Sequence, residues 1–486
     1  MKSNHKHLVI IGGGFSGTAL AVGLLRHVPW LDIGIIDNGP IPGQGIAYAT
    51  RNQSHLLNVP AENMSAFPQD CEHFLRWARA NYDPAVEGGS FLPREVYGRY
   101  LESLWKQATI ENPGKIVRWR DEAIFLTQKG SHVEVHLKSG TQLRAEKVVL
   151  ATGNFPALDP QIEGLFPACA KGIPPAAASK RYVSSAWSKS PGSKTALESL
   201  HSSSSVLLIG SGLTSVDVAL GLESKGFRGT IHMVSRHGLM PSAHQQTDSW
   251  FHFWNHSSPK TALGLLRLVR LNIRNAASIG VDWRGVIDSM RPITQEIWMT
   301  LDHTERRRFL RHARSYWEAH RHRIAPQAGA VISKMISSGQ LQVHAGRITK
   351  YAEMDAGAEV TFRRRTDGIS QHLTVGRVIN CTGPASDYRK VNDPLISSLF
   401  IQGLSRPDPV FLGLNVNSHG ALLDADGIPS KSLFAIGPAT RGFAFETTAV
   451  PEIRVQATQL ARLLARALDP LPVTAQPDPF VIHASI

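Results

Sequence analysis

Two α/β units, each a parallel sheet wound by helices and the second inserted into the first, are predicted by three features of this 486-residue sequence. An apolar strand runs into a glycine-rich turn and then a helix twice, at residues 8–17 and 206–215. A set of short strands with turn signals follows each copy. Each set closes on an apolar strand ending in Thr-Gly, at Thr152-Gly153 and Thr382-Gly383, so one plan is laid out twice along the chain.

The first turn, LVIIGGGFSG, places G-x-G-x-x-G at Gly12, Gly14 and Gly17 ahead of the helical pattern TALAVGLLRHV. Strand, glycine turn and helix in that order are the context a dinucleotide-binding fingerprint requires. Gly12 permits the tight turn, Gly14 lets backbone approach a pyrophosphate, and Gly17 lets the helix pack closely on the strand. The helix N-terminus adds N–H donors and partial positive charge. The next apolar run, IGIID, ends in Asp37, whose carboxylate can accept hydrogen bonds from an adenosine ribose and would repel a phosphate there.

The second turn reads G-x-G-x-x-S at Gly210, Gly212 and Ser215, and serine in the third place implies slightly looser packing of helix on strand. Its following strand, TIHMVSRHG, ends in Ser235, Arg236 and His237 rather than in an acid. A guanidinium there can grip a 2′-phosphate through two charge-assisted hydrogen bonds, which points to NADPH over NADH; an ordinary surface arginine is the alternative.

After the first turn, the strands KIVRWRDEAIFLTQ, HVEVHL and TQLRAEKVVLATG are punctuated at Lys129-Gly130 and Ser139-Gly140. LQVHAGRITKY, AEVTFRRR and LTVGRVINCTG repeat the plan. Between the copies, residues 156–205 have the Ser/Pro/Ala-rich composition of a loop and linker. Beyond Gly383, the strand SLFAIGPATRG and a helix over about residues 449–467 are expected, the strand closing the first sheet. The first unit is therefore expected at 1–200 plus 384–486, and the second at 201–383.

These segments resemble the two-dinucleotide-binding-domain flavoproteins. More narrowly, they resemble the bacterial FAD/NAD(P)-binding protein family related to class B flavin monooxygenases and N-hydroxylating enzymes. The resemblance rests on IIGGGFSG, GQGIAYAT, HLLNVPAENMSAFP, FLPREVYGRYL, VVLATG, LLIGSGLTSVDVAL, VSRHGLMP, AHRHRIAP, INCTGP and AIGPATRGFAFETTAVPEIRVQA. It implies FAD in the first unit, contacted by Gly12, Gly14, Gly17, Asp37, Thr152, Gly153, Gly437 and Pro438. A reduced nicotinamide cofactor is implied at Gly210, Gly212 and Ser215. Two departures stand out. Where class B monooxygenases carry F-x-G-x-x-x-H, this chain has RYVSSAW, and where they carry Gly-Asp near the flavin's last strand it has Gly437-Pro438.

Composition narrows the function further. With 42% hydrophobic and 19% charged residues the chain is globular, and no apolar run is long enough to span a bilayer. The net charge of +13 suits phosphorylated ligands, but no helix-turn-helix, zinc or RNP-type signature accompanies it, so nucleic acid is not the expected partner. Cys71, Cys169 and Cys381 are isolated, which argues for a reducing cytoplasmic compartment and against a thiol relay. Electrons from NADPH would then pass through flavin to a small molecule. The expected function is an FAD-dependent, NAD(P)H-consuming monooxygenase, N-hydroxylating an amine or amino acid. An NAD(P)H-dependent reductase or oxidase without oxygen insertion, and a nucleotide-sensing protein without turnover, are the alternatives. Assembly into a homo-oligomer stays open, and no catalytic residue is identifiable.

Asn58, Arg94, Tyr97 and Glu446 fall in segments bordering the expected flavin cleft and are candidates to face substrate, each with a structural role as the alternative. His244, His252 and His256 miss metal-ligand spacing, so no metal is expected. Their segment, 242–255, reads as a lid over the cleft or as packing. The basic stretch 305–323 reads as one helix, presenting a solvated face or a wall for anions.

Overall fold

The computed structural model describes residues 4–165, 179, 181–186, 200 and 204–468. The first unit opens with β1 (His5–Ile11), α1 (Phe15–His27) and β2 (Ile33–Ile36). The short α2 (Gly45–Tyr48), α3 (His73–Asn81) and α4 (Arg94–Glu111) lead to β3 (Ile116–Trp119). The hairpin β4 (Ala123–Lys129) and β5 (His132–Leu137) then precedes β6 (Gln142–Leu150).

The second unit holds β7 (Tyr182–Val183), β8 (Val206–Ile209), α5 (Leu213–Ser224) and β9 (Ile231–Ser235). Six helices follow: α6 (Ala262–Ser278), α7 (Trp283–Ser289), α8 (Thr294–Thr300), α9 (His303–His312), α10 (Arg314–Arg321) and α11 (Pro326–Ser337). The strands β10 (Leu341–Met354), β11 (Gly357–Arg364), β12 (Ser370–Val375) and β13 (Arg377–Asn380) complete it. The described residues close with α12 (Pro394–Ile401), β14 (Ala421–Leu423), β15 (Pro429–Ala435) and α13 (Val450–Leu468).

The first sheet has the order β14-β15-β6-β1-β2-β3, and β15 runs parallel to β6. The strand expected to return after the second unit thus closes the first sheet. On the side away from β1, strand β6 serves two neighbours: its first half pairs antiparallel with β5, and its last residues pair parallel with β15. The second sheet has the order β12-β11-β10-β9-β8-β13-β7. There β10 divides the same labour, parallel to β9 over its first five residues and antiparallel to β11 beyond. The two copies therefore attach their meanders differently. Strand β7, from the passage between the copies, adds to the edge of the second sheet beside β13.

The four residues of β2 and of β8 are all buried, as parallel strands covered on both faces require. Helices α1 and α13 pack their apolar stripes together over one face of the first sheet. The basic stretch 305–323 is not one helix, because it breaks at Ala313 between α9 and α10. Arg307, Arg308 and Arg311 face solvent. Arg306 lies over the Trp298 ring at 5.0 Å, and Arg323, 2% exposed, makes two hydrogen bonds to Asp288 at 2.6 and 3.1 Å. The charge is thus divided between solvent and interior.

Two histidines, His232 buried and His244 half-buried, give the fold a pH dependence. His232 of β9 sits 3.2 Å from the His344 ring nitrogen on β10, and burial followed by that neighbour pushes its pKa down to about 4. Burial likewise holds His244 at about 4. Both lie below the ordinary 6.5, so the unfolded chain binds more protons between those values. Stability is complete above pH 6.5 and is lost as pH falls toward 4. With solvent screening the loss is on the order of 1 kcal/mol for each ring. Urea midpoints across this range should fall accordingly, and His232→Gln should flatten the slope; a midpoint independent of pH would contradict this account.

Candidate active site

The two glycine turns have the same geometry. Gly12 has φ +112° and Gly210 φ +111°, a backbone region closed to residues with a Cβ. A Cβ added at Gly210 would lie 2.7 Å from the Cys381 carbonyl oxygen, and one at Gly12 would collide with the Ala151 carbonyl oxygen. In each unit, the turn is thus pressed onto the end of the return strand that precedes Thr-Gly.

The third position differs between the copies. A Cβ at Gly17 would strike the Gly12 carbonyl oxygen. In the second copy, Ser215 Oγ donates instead to the Gly210 carbonyl at 2.9 Å, so a side-chain hydrogen bond stands where the first copy has bare contact.

Above the turns lies open space. A Cβ at Gly153, Gly212 or Gly383 would meet nothing within 4 Å, and at Gly14 only the Gly45 Cα at 3.5 Å. The middle glycine of each turn and the glycine of each Thr-Gly therefore face a cradle without side chains, at a helix N-terminus. That is where a nucleotide pyrophosphate fits, and the residues present suit FAD at the first turn and a nicotinamide dinucleotide at the second.

At the end of β2, Asp37 receives Arg118 Nη2 on Oδ2 at 2.7 Å and the Gly39 N–H on Oδ1 at 3.3 Å. Arg118 stands opposite Ile35 on the neighbouring strand β3, and it fixes the carboxylate's orientation. Gly437, φ +74°, donates its N–H to Gln456 Oε1 at 2.8 Å and lies against Ser16 of α1, so Gly437-Pro438 is held beside the first turn. Thr152 stands at the end of β6, next to that turn as well.

At the second turn, Arg236 is exposed just beyond β9. Burial, then Arg365, then Arg236 lower the pKa of His237. Arg365 comes from the turn between β11 and β12, 129 residues downstream, where no local signal marks it.

The four substrate-facing candidates fall in different settings. Arg94 bridges the two units. Its Nη1 and Nη2 donate to Asp217 Oδ2 and Oδ1 of α5 at 2.8 and 3.1 Å, and its Nε donates to the Leu56 carbonyl. His55 ties the same helix through the Asp217 carbonyl at 3.0 Å and reaches Thr50 Oγ1 at 2.9 Å. Tyr97 is fully buried; its ring lies 4.7 Å from Tyr48 and 5.0 Å from Phe74, and burial raises its pKa well above the phenol value. The Asn58 carbonyl is 3.0 Å from His244 Nε2, which carries the 242–255 segment onto the first unit. Trp254 of that segment is buried beside Met290 and Ile297, a packing role, whereas Phe251 is exposed.

Glu446 is 3% exposed and holds φ +71°, a conformation that strains a residue with a side chain. Its Oε1 accepts Trp317 Nε1 at 2.9 Å, and its Oε2 is 2.8 Å from His322 Nε2. Burial alone would raise its pKa, but His322, Arg321 and Trp317 outweigh burial and hold the carboxyl below its ordinary range. Trp298 stacks on Phe445 at 4.4 Å and donates to the Gly442 carbonyl at 2.8 Å. Helices α8 and α10 thus clamp the loop that leads into α13. Beside this loop lies a cavity of about 820 Å³, reaching from Val59 and Asn63 to Glu452.

Cys71 is exposed and Cys381 is buried, its thiol pushed up to about 12 by burial, and Cys169 lies outside the described residues, as does Trp187 of RYVSSAW. Among the described residues no three His, Cys, Asp or Glu side chains gather as metal ligands, and no helix is long and apolar enough to cross a membrane. His256 lies 3.4 Å from Glu296, and His252 is exposed.

Residues 9–155 match the family model for FAD-NAD(P)-binding domains. Among curated proteins none matches. Among solved structures, the ornithine N-hydroxylase of Kutzneria sp. 744, which holds reduced FAD, NADP+ and L-ornithine, superposes with a TM-score of 0.64 at 11% identity. It covers 96% of this chain and 100% of its own. The L-lysine 6-monooxygenase of Pseudomonas syringae gives 0.64 at 16% identity, with the same coverage. The FAD-bound cadaverine monooxygenase of Erwinia amylovora gives 0.61 at 14% identity, with 99% of each chain covered. The chain thus has the two-domain FAD/NAD(P)-binding fold that these structures share.

Proposed function

We propose that this chain is an FAD-dependent, NADPH-consuming monooxygenase that N-hydroxylates a small amine or amino acid. The observation that carries the reading is the paired cradle, with open space over Gly14 and Gly153 in one unit and over Gly212 and Gly383 in the other. Likeness of fold to N-hydroxylases that act on ornithine, lysine and cadaverine supports the substrate class. Isolated cysteines favour a small-molecule acceptor over a disulfide relay and suit a cytoplasmic setting.

When bound, FAD would supply the oxidising chemistry and NADPH the electrons. The chain's own part is placement. Gly12, Gly14, Gly17, Asp37, Thr152, Gly153, Gly437 and Pro438 would hold the flavin nucleotide, and Gly210, Gly212, Ser215 and Arg236 the nicotinamide one. Residues 1–200 plus 384–486 would form the FAD unit and 201–383 the NADPH unit, with β7 lending its two residues across that boundary. Arg94 and Asp217 would keep the two sites facing one crevice. The clamp of Trp317, His322 and Arg321 on Glu446 would fix the loop at its edge and limit water there.

The test is stoichiometry on purified, FAD-reconstituted protein: flavin absorbance, NADPH consumption, oxygen uptake and peroxide release with a panel of amines. Oxygen consumed in step with hydroxylated amine is expected. All oxygen recovered as peroxide whatever is added would instead identify an oxidase, and NADPH binding without consumption a sensor.

Cofactor choice gives a sharper expectation. Arg236→Ala should raise the KM for NADPH by about ten- to a hundred-fold, the worth of one charge-assisted phosphate contact, and leave the KM for NADH unchanged. Arg365→Ala should do the same to a smaller extent. Equal effects on both coenzymes would remove Arg236 from the phosphate site.

A further inference from the structure

Helix α6 has two unlike faces. Leu265, Leu268 and Val269 pack inward against the cluster of Trp254, Met290 and Ile297, and Asn272 and Ala276 are buried on the same side. On the other side Leu263, Arg267, Arg270 and Arg274 recur at helical spacing and form one exposed stripe, with Leu271 at its flank. Between Asp248 and Asp282 the chain carries no acidic residue. Among the described residues no carboxylate pairs with Lys260, Arg267, Arg270 or Arg274. Glu305, whose Oε2 accepts the Ala262 N–H at 2.8 Å, is buried and already paired with Arg308, so it leaves the charge of the stripe in place. Large apolar side chains are exposed along the same helix and at its ends: Phe251, Leu263, Leu271 and Ile279 are between 47 and 70% exposed. Trp250 Nε1 donates to Asn272 Oδ1 at 3.0 Å, and the Phe251 ring lies 4.7 Å from the Trp250 ring, which seats Phe251 beside the helix.

A single exposed leucine is ordinary on a protein surface, but several large apolar groups beside a row of unpaired cations mark a contact face. We propose that this face docks on an anionic lipid bilayer, with Arg267, Arg270 and Arg274 on the headgroups and Phe251, Leu263, Leu271 and Ile279 at the boundary between headgroups and acyl chains. A bilayer supplies both halves of what the face presents. A nucleic acid or another polyanion would meet the arginines but leave the apolar side chains in water. A second copy docked symmetrically on this face would set arginine against arginine, and like charges repel. The docking is peripheral, because the inward side of α6 is packed against the protein and only its outer side chains can reach the lipid. Docking of this kind is independent of the reaction proposed above.

The test is vesicle binding by FAD-reconstituted full-length protein. It is sedimented with vesicles of phosphatidylcholine, pure or mixed with phosphatidylglycerol, at increasing sodium chloride. Binding to the mixed vesicles alone, weakened by salt, is expected. Arg267→Gln, Arg270→Gln and Arg274→Gln together should weaken it by about a hundred-fold, at roughly five-fold for each cation. The same charge removed from exposed positions of the first unit, as Arg120→Gln, Lys129→Gln and Lys431→Gln, should weaken it far less, because only the general field of the protein changes. Leu263→Ser with Leu271→Ser should cost at least about ten-fold and leave the salt dependence as it was. Vesicles should also slow amide hydrogen exchange over residues 249–281 of the wild type, a measurement that depends on no variant. Binding to neither vesicle or equally to both, equal losses in the two triple variants, or exchange slowed elsewhere but not over 249–281 would each overturn the assignment. Tighter retention on double-stranded DNA than on the mixed vesicles would overturn it too, by giving the face to nucleic acid.

Discussion

Gly12→Ala is expected to yield protein that neither retains flavin nor melts cooperatively, whereas Gly212→Ala folds, keeps its flavin and loses NADPH. The contrast follows from what each new methyl group would meet. At Gly12 it meets a backbone carbonyl at the end of β6, in a conformation with φ +112°, and a backbone neighbour cannot rotate aside as a side chain can. Strain and collision together cost several kcal/mol, against a total stability of roughly 5–15 kcal/mol for a typical domain. The Gly17→Ala change meets the Gly12 carbonyl and should behave in the same way. At Gly212 the methyl enters empty space, so stability should hold. That space is the one assigned to the coenzyme's pyrophosphate, and the KM for NADPH should rise by at least about ten-fold, or 1.4 kcal/mol. Thermal melts, flavin absorbance and NADPH kinetics of the three variants provide the measurement. A Gly212→Ala enzyme with unaltered NADPH kinetics would remove the coenzyme from the second turn.

That contrast also marks what the sequence could disclose. The turns, Asp37 and the two Thr-Gly ends are fixed by residues within a few positions of one another, where the backbone requirements of glycine are local and readable. The closing strand β15 was legible because a sheet of this type needs one. The clamp around Glu446 was not: its partners Trp317 and His322 are 129 and 124 residues away, brought close by the helices that the chain inserts between β9 and β10. By position, a glutamate just before a helix reads as an N-terminal cap, yet its left-handed backbone and ion partners serve a tertiary contact instead. Arg118 was hidden for a related reason. An arginine in a strand carries no mark of its neighbour until the register puts β3 beside β2. The three- and four-residue spacing of apolar residues in 305–323 satisfied a single helix, and only tertiary contacts, Arg306 over Trp298 and Arg323 with Asp288, explain why its charges divide between surface and interior.

Asp217→Ala is expected to destabilise the protein by about 3–5 kcal/mol, the cost of leaving one partner of a buried pair without its counter-charge. The Asp217 side chain is 8% exposed and that of Arg94 14%, and the bond between them is bidentate, so the guanidinium left behind could not simply turn to water. Removing both partners should cost less than the sum of the single changes, because the double variant buries no orphan charge. Glu95→Ala, one residue on, breaks an ion pair with the largely exposed Arg51 and should cost under about 1 kcal/mol, which makes it the control for general damage at the start of α4. The functional consequence separates a hinge from a mere staple. Arg94 belongs to the first unit and Asp217 to the helix that follows the second glycine turn, so losing the pair should slow NADPH-dependent flavin reduction while leaving the flavin band of the folded fraction intact. If denaturation midpoints fall as stated but single-turnover reduction keeps its rate, the pair stabilises the molecule without setting how the two cradles face. If reduction slows in Asp217→Ala and recovers in Asp217→Glu, the orientation of α5 against the first unit is what brings the coenzymes together.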